Sequence, residues 1–186
     1  MPIKFMIVIG AGYGNFCYAA KDLTPPLRSH RDSFKVYQSD TGMLVGRYGD
    51  NCIKAIYSGD MGYNLGAITE NVVAEGLMKC GYIPRYFSVN KGEKMMELDF
   101  VVETGDGVCV IEVKSGKGRS APSIGKVPRF YNVARRICLA EENIYVDDQG
   151  IEHYPLFASF FFGEFDPEWD GPALRYGFGP CVRTRS

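Results

Sequence analysis

The chain has 186 residues, enough for one domain with a sizeable core, and 46% hydrophobic with 23% charged residues excludes extended disorder. A net charge of -1 supplies no global positive field, so any contact with nucleic acid must rest on a local basic patch. No apolar run reaches the roughly 18–20 residues of a membrane span, and six scattered cysteines without a C-x-x-C pair read as free thiols, so a cytoplasmic protein without a zinc site is expected.

Residues 1–33 read as a lead-in segment. Within it, IVIGAGYGNF (Ile7 to Phe16) imitates the strand-and-glycine start of a dinucleotide cradle. That cradle needs a small residue where Asn15 stands, and a strand ending in an acid where PPLRSHRD stands. The stretch is therefore expected to bend into a strand-like NFCYAA, followed by an extended connector at Pro25 and Pro26.

A folded unit is expected over 34–165. FKVYQSDTGML (Phe34 to Leu44) opens it, with a turn at Asp40-Thr41-Gly42. GAITENVVAEGLMKCG (Gly66 to Gly81) predicts a helix capped by Thr69, with Glu70 in its first turn and Ile68, Val72, Val73 and Leu77 forming its apolar stripe. Gly81 is placed to end it. Three strands follow: RYFSV (85–89), MMELDFVVE (95–103) and, after a TGDG turn, VCVIEVK (108–114). The basic loop SGKGRSAPS then precedes a helix within 123–132 that Pro128 interrupts, and LFASFFF (156–162) reads as a core strand. Arg135 and Arg136 read as surface residues, His30 and His153 lack partners at useful spacing, and 166–186 form a Gly/Pro-rich tail.

The hairpin carries the candidate chemistry. Alternation puts Asp99 with Val101 and Glu103 on one face, opposite Leu98, Phe100 and Val102. On the returning strand Glu112 and Lys114 share a face, so Asp99, Glu112 and Lys114 are expected in one cleft. Two neighbouring carboxylates call for a hard divalent cation such as Mg²⁺ or Mn²⁺, which polarises a phosphodiester. Lys114 would then orient water or stabilise charge, with Glu70 a third carboxylate. Lys117 and Arg119, with Lys126 nearby, would grip phosphates. The same residues also fit a solvated strand face, and Glu70 a helix start favoured by the helix dipole.

The order Glu70, then Asp99 in ELD, then Glu112-Val113-Lys114 resembles the PD-(D/E)XK nuclease superfamily, with Leu98 where the superfamily name has proline. More closely, FKVYQSDTGML, GAITENVVAEGL, ELDFVVE and VIEVKSGKGRS are similar to a family of unassigned activity. It lies C-terminal to AAA-type ATPase modules in bacterial and archaeal chains. The similarity runs from about Pro25 to Phe161.

The resemblance implies a restriction-endonuclease-like α/β fold, a central mixed sheet flanked by helices. It also implies Mg²⁺-dependent hydrolysis of DNA, with Asp99 and Glu112 on the metal, Lys114 on water, and Glu70 as auxiliary ligand or base. No G-x-x-x-x-G-K-[ST] loop is present in the sequence, so the chain resembles the C-terminal part alone, either a stand-alone copy or a fragment, and for a stand-alone copy the resemblance implies an AAA-type ATPase acting in trans. The alternative is a non-catalytic module of the same fold that binds nucleic acid or a partner.

Overall fold

The computed structural model describes residues 14–59, 65–90, 92–116 and 122–164. Its centre is an eight-stranded mixed sheet in the order β2-β1-β3-β4-β5-β6-β8-β7. The strands are β1 (Gly14–Ala20), β2 (Ser29–Gln38), β3 (Arg85–Val89), β4 (Met96–Thr104), β5 (Gly107–Val113), β6 (Arg135–Ala140), β7 (Tyr145–Val146) and β8 (Glu152–Pro155). Neighbours β1/β3, β5/β6 and β6/β8 run parallel, and the other pairs antiparallel. The expected mixed sheet with flanking helices is therefore observed.

One boundary moves. β1 lies between β2 and β3, and β2 begins at Ser29, so residues assigned to a lead-in segment are integral strands of the sheet. The residues following the glycines of IVIGAGYGNF continue as strand rather than as the helix a dinucleotide cradle requires. Ile7 to Tyr13 lie outside the described residues, as does the 166–186 tail.

The helices differ more from expectation. Asp40 does not make a turn; its carboxylate accepts the Met43 N–H at 2.8 Å and caps α1 (Thr41–Tyr48). The α2 helix (Asp50–Ser58) had no counterpart in the sequence reading. Among the described residues the α3 helix runs over Leu65–Lys79, so Thr69 lies inside it, donating to the Leu65 carbonyl, rather than capping it, and Glu70 lies beyond the first turn. Its end follows the expected pattern: Gly81 has φ +89°, Gly81 N–H reaches Met78 O and Tyr82 N–H reaches Leu77 O. The predicted strand LFASFFF is instead part of a 3₁₀ segment, Leu156–Glu164. Its continuous apolar run could not distinguish the two.

Two cores sandwich the sheet. On one face α3 and the 3₁₀ segment bury Val73, Leu77, Phe100, Ile111, Leu139 and Phe162 among others. Close approach requires Gly76, where an added Cβ would sit 2.5 Å from Ser159 Oγ and 2.8 Å from the Ser159 carbonyl carbon. On the other face, α4 (Pro122–Lys126), the 3₁₀ turn Val127–Arg129 and Leu23 and Leu27 cover Leu98, Val101, Val110 and Cys138. Each fully buried aliphatic side chain contributes roughly 1.5–3 kcal/mol. The sheet is thereby a rigid base for the groups at its strand ends.

Candidate functional site at the end of the central hairpin

Asp99 owes its position to a break in strand alternation. Arg85 pairs with Val101 and Phe87 with Leu98, so three steps on β4 face two on β3. This bulge turns Phe100 onto the α3 face while Val101 joins Leu98 on the other. Asp99 therefore does not share a face with Val101, as strict alternation required. It stands on the α3 side, facing Lys35 and Glu70.

Pairing between β4 and β5 ends at Phe100–Ile111. Beyond it, the Asp99 carboxylate replaces a backbone acceptor and takes the Val113 N–H at 2.8 Å. Glu112 alternates with Ile111 and Val113, which belong to the α3 face, so it leaves β5 on the side of Val108 and Val110. Asp99 and Glu112 thus approach the hairpin end from opposite faces, rather than from one. They still feel each other: burial pushes Asp99 up to about 6 against the Val113 bond, and the charges of Glu112 and Glu70 add to the rise.

Glu112 is only 7% exposed. Its Oε1 accepts from Lys114 Nζ at 2.6 Å, whereas Oε2 is buried and has no hydrogen-bond partner among the described residues. A buried carboxylate oxygen left in this way is costly unless something else comes to it.

Glu70 is held from β2. Lys35 Nζ donates to Glu70 Oε1 at 2.8 Å, and the Tyr37 hydroxyl donates to the same oxygen. Lys35 also lies 3.8 Å from Glu97 Oε1 and over the Tyr86 ring. Burial opposes the Lys35 ammonium, yet its bond to Glu70 and the charges of Glu70, Asp99 and Glu97 hold its pKa above the ordinary value. Burial and Glu70 likewise raise Tyr37. Cys17, opposite Lys35 in the β1–β2 ladder, is pushed up to about 12, chiefly by burial, so it is a neutral thiol.

Lys35 and Tyr37 are the residues the sequence reading missed. Their spacing within FKVYQSD, two apart on one strand, was the available signal. Of the predicted group, Glu112 and Lys114 form an ion pair, Asp99 bonds the intervening Val113 N–H and is in electrostatic contact with Glu112, and Glu70 is held by Lys35. Lys117 and Arg119 lie outside the described residues. Two further expectations fail: Arg135 is half-buried against Glu152, and His153 lies 3.3 Å from both Glu142 and Asp147.

Among the described residues no three His, Cys, Asp or Glu side chains converge closely enough to hold a metal ion alone. Mg²⁺ does not require that, since it is commonly held by one or two carboxylates plus water and substrate phosphate. Asp99 and Glu112, with the free Glu112 Oε2, fit such a partial set. Glu70, Glu97, Asp99 and Glu112 carry four negative charges against the two positive charges of Lys35 and Lys114. When all are ionised, the remaining charge of -2 matches one divalent cation.

These features define a mixed α/β domain with an acidic, lysine-flanked site at the open end of its central hairpin. The family described as a domain of unknown function (DUF4143) matches residues 65–157, half of the chain, and the chain belongs to it. The match contains Glu70, Asp99, Glu112 and Lys114 but not Lys35 or Tyr37 on β2. No curated protein and no solved structure matches the chain.

Proposed function

We propose that the domain is a Mg²⁺-dependent nuclease of the PD-(D/E)XK type that hydrolyses phosphodiester bonds in DNA. The observation that carries this reading is the buried, unpartnered Oε2 of Glu112 beside an Asp99 whose own ionisation is opposed by burial and by neighbouring carboxylates. Asp99 and Glu112 would hold the cation. When bound, it would supply Lewis-acid polarisation of the phosphodiester and a more acidic water.

The chain's own residues set the rest of the geometry. The Val113 N–H fixes the Asp99 carboxylate against β5. Lys114, whose side chain is 20% exposed, is donor-only and within reach of Glu112, so it can hold a water or a phosphate oxygen at the same place. Glu70, restrained by Lys35 and Tyr37, supplies negative charge beside Asp99. Lys117 and Arg119 would extend the phosphate contact along the loop after β5. The family context that the sequence resembles makes an AAA-type ATPase acting in trans the proposed partner.

Supercoiled plasmid incubated with Mg²⁺ or Mn²⁺ tests the reading. Nicking should fall on the order of 10²–10³-fold in Lys114→Ala, the usual cost of losing one electrostatic stabiliser. Equal traces for the wild type and Lys114→Ala would exclude the enzymatic reading. A second reading, a non-catalytic binding module, draws on the Glu112–Lys114 pair, which occupies both side chains. Asp99-independent DNA binding without cleavage would support it.

A further inference from the structure

The alternation of charge across the site has a consequence for how many cations it takes. Along the hairpin end the order is Glu70–Lys35, Asp99, then Glu112–Lys114, with Glu97 behind Lys35. Lys114 neutralises the Glu112 side, yet leaves Oε2 bare. On the Glu70 side, Lys35 is the cation in contact with Glu70 and Glu97, and it also acts on Asp99.

An ammonium placed among three carboxylates does electrostatically what a second divalent ion would do there. It brings one positive charge to a place where a metal would otherwise be drawn by Glu70, Glu97 and the outer side of Asp99. Its position is not that of a loosely solvated lysine. The Tyr86 ring lies beneath it, the Tyr37 hydroxyl shares its Glu70 oxygen, and its side chain is only 30% exposed. Both donors approach Glu70 Oε1, which is thereby taken up by protein hydrogen bonds rather than left for a metal.

We infer that Lys35 takes the place of a second metal ion, so that the site binds one divalent cation, at Asp99 and Glu112, instead of two. This rests on the metal-dependent reading above and adds its stoichiometry. It assigns Lys35 a positioning role: it fixes Glu70 and closes the Glu70 side of the site to a cation.

Calorimetric titration of the full chain with Mn²⁺, without DNA, tests it. Wild type should bind one Mn²⁺ per chain. Lys35→Met, similar in length but uncharged, should bind two, and Lys35→Arg should restore one. Two ions in the wild type, or one ion with unchanged affinity in Lys35→Met, would overturn the inference while leaving the metal site itself intact. A different result marks failure of the underlying reading: no Mn²⁺ uptake in the wild type that is lost in Asp99→Asn. Should Lys35→Met not fold, Lys35→Gln takes its place, with two ions expected and one ion overturning the inference.

Discussion

Two charge clusters sit on neighbouring strand pairs of the same sheet, and they are built on opposite principles. At the β6–β8 step, Arg135 grips both oxygens of Glu152, at 3.1 and 2.7 Å, and the Tyr154 hydroxyl adds a bond to Glu152 at 3.0 Å. Each partner favours the other's charged form: the Arg135 bond holds Glu152 below the usual carboxylate range, and Glu152 raises Arg135. At the β4–β5 end, by contrast, Asp99 is driven towards its neutral form and Glu112 keeps a buried oxygen without a partner. A closed ion pair serves the fold. An acidic group left in electrostatic conflict within a packed sheet is instead where a cation has most to gain, and perturbed carboxylates of this kind concentrate at functional sites.

The sharpest way to break that contrast is the same conservative change in each cluster. Glu112→Gln removes charge from the open cluster, so DNA nicking in Mg²⁺ should fall on the order of 10²–10³-fold. Glu152→Gln should leave nicking within a few fold of the wild type. Equal losses from the two substitutions would mean that the clusters do not differ in function.

How far this contrast was readable in the sequence follows from its physics. The hairpin was legible because alternation and the TGDG turn are local signals, and the acidic-acidic-lysine order on it could be named residue by residue. The bulge at Asp99 was not, because it depends on how β3 pairs with β4, and nothing in ELDFVV marks an extra residue. Lys35 lies 35 residues before Glu70, and only tertiary pairing brings them together. Arg135 and Glu152 escaped for the same reason: β6, β7 and β8 are strands of two to six residues with mixed composition. The apolar LFASFFF showed burial correctly but not conformation, since it lacks either period.

A second effect concerns stability. Asp99 has an ordinary value of 3.8 and sits at about 6 in the folded chain, so the folded state binds its proton more tightly than the unfolded one. Its contribution is fully present below pH 3.8 and is lost as pH rises through about 6. Above that, the ionised Asp99 strains the fold, and Asp99→Asn should stabilise the protein at pH 8 by up to about 3 kcal/mol. Thermal melts in metal-free buffer should show a Tm rise of roughly 5–10 °C. A lower Tm at pH 8 would show that Asp99 is a structural partner like Glu152, and the contrast would disappear.

The smallest expected effect has the opposite pH sign and completes the comparison. Glu152 is lowered from an ordinary 4.5, chiefly by its bond from Arg135, so its stabilisation is present above pH 4.5 and is lost as pH falls through the depressed folded value. Glu152→Gln keeps one carbonyl acceptor but leaves the Arg135 guanidinium, whose side chain is 15% exposed, without its counter-charge. At pH 7 this should cost about 1.5–2 kcal/mol, the range for a hydrogen bond to a charged group. Denaturant titrations from pH 3 to 7 should show that deficit narrowing on the acid side, where wild-type Glu152 takes up a proton. Asp99→Asn measured alongside should show its advantage shrinking as pH falls from 6 towards 4. Two carboxylates on one sheet would then respond to acid in opposite directions: one loses a partner as it is protonated, and the other is relieved of a charge whose burial the fold opposes.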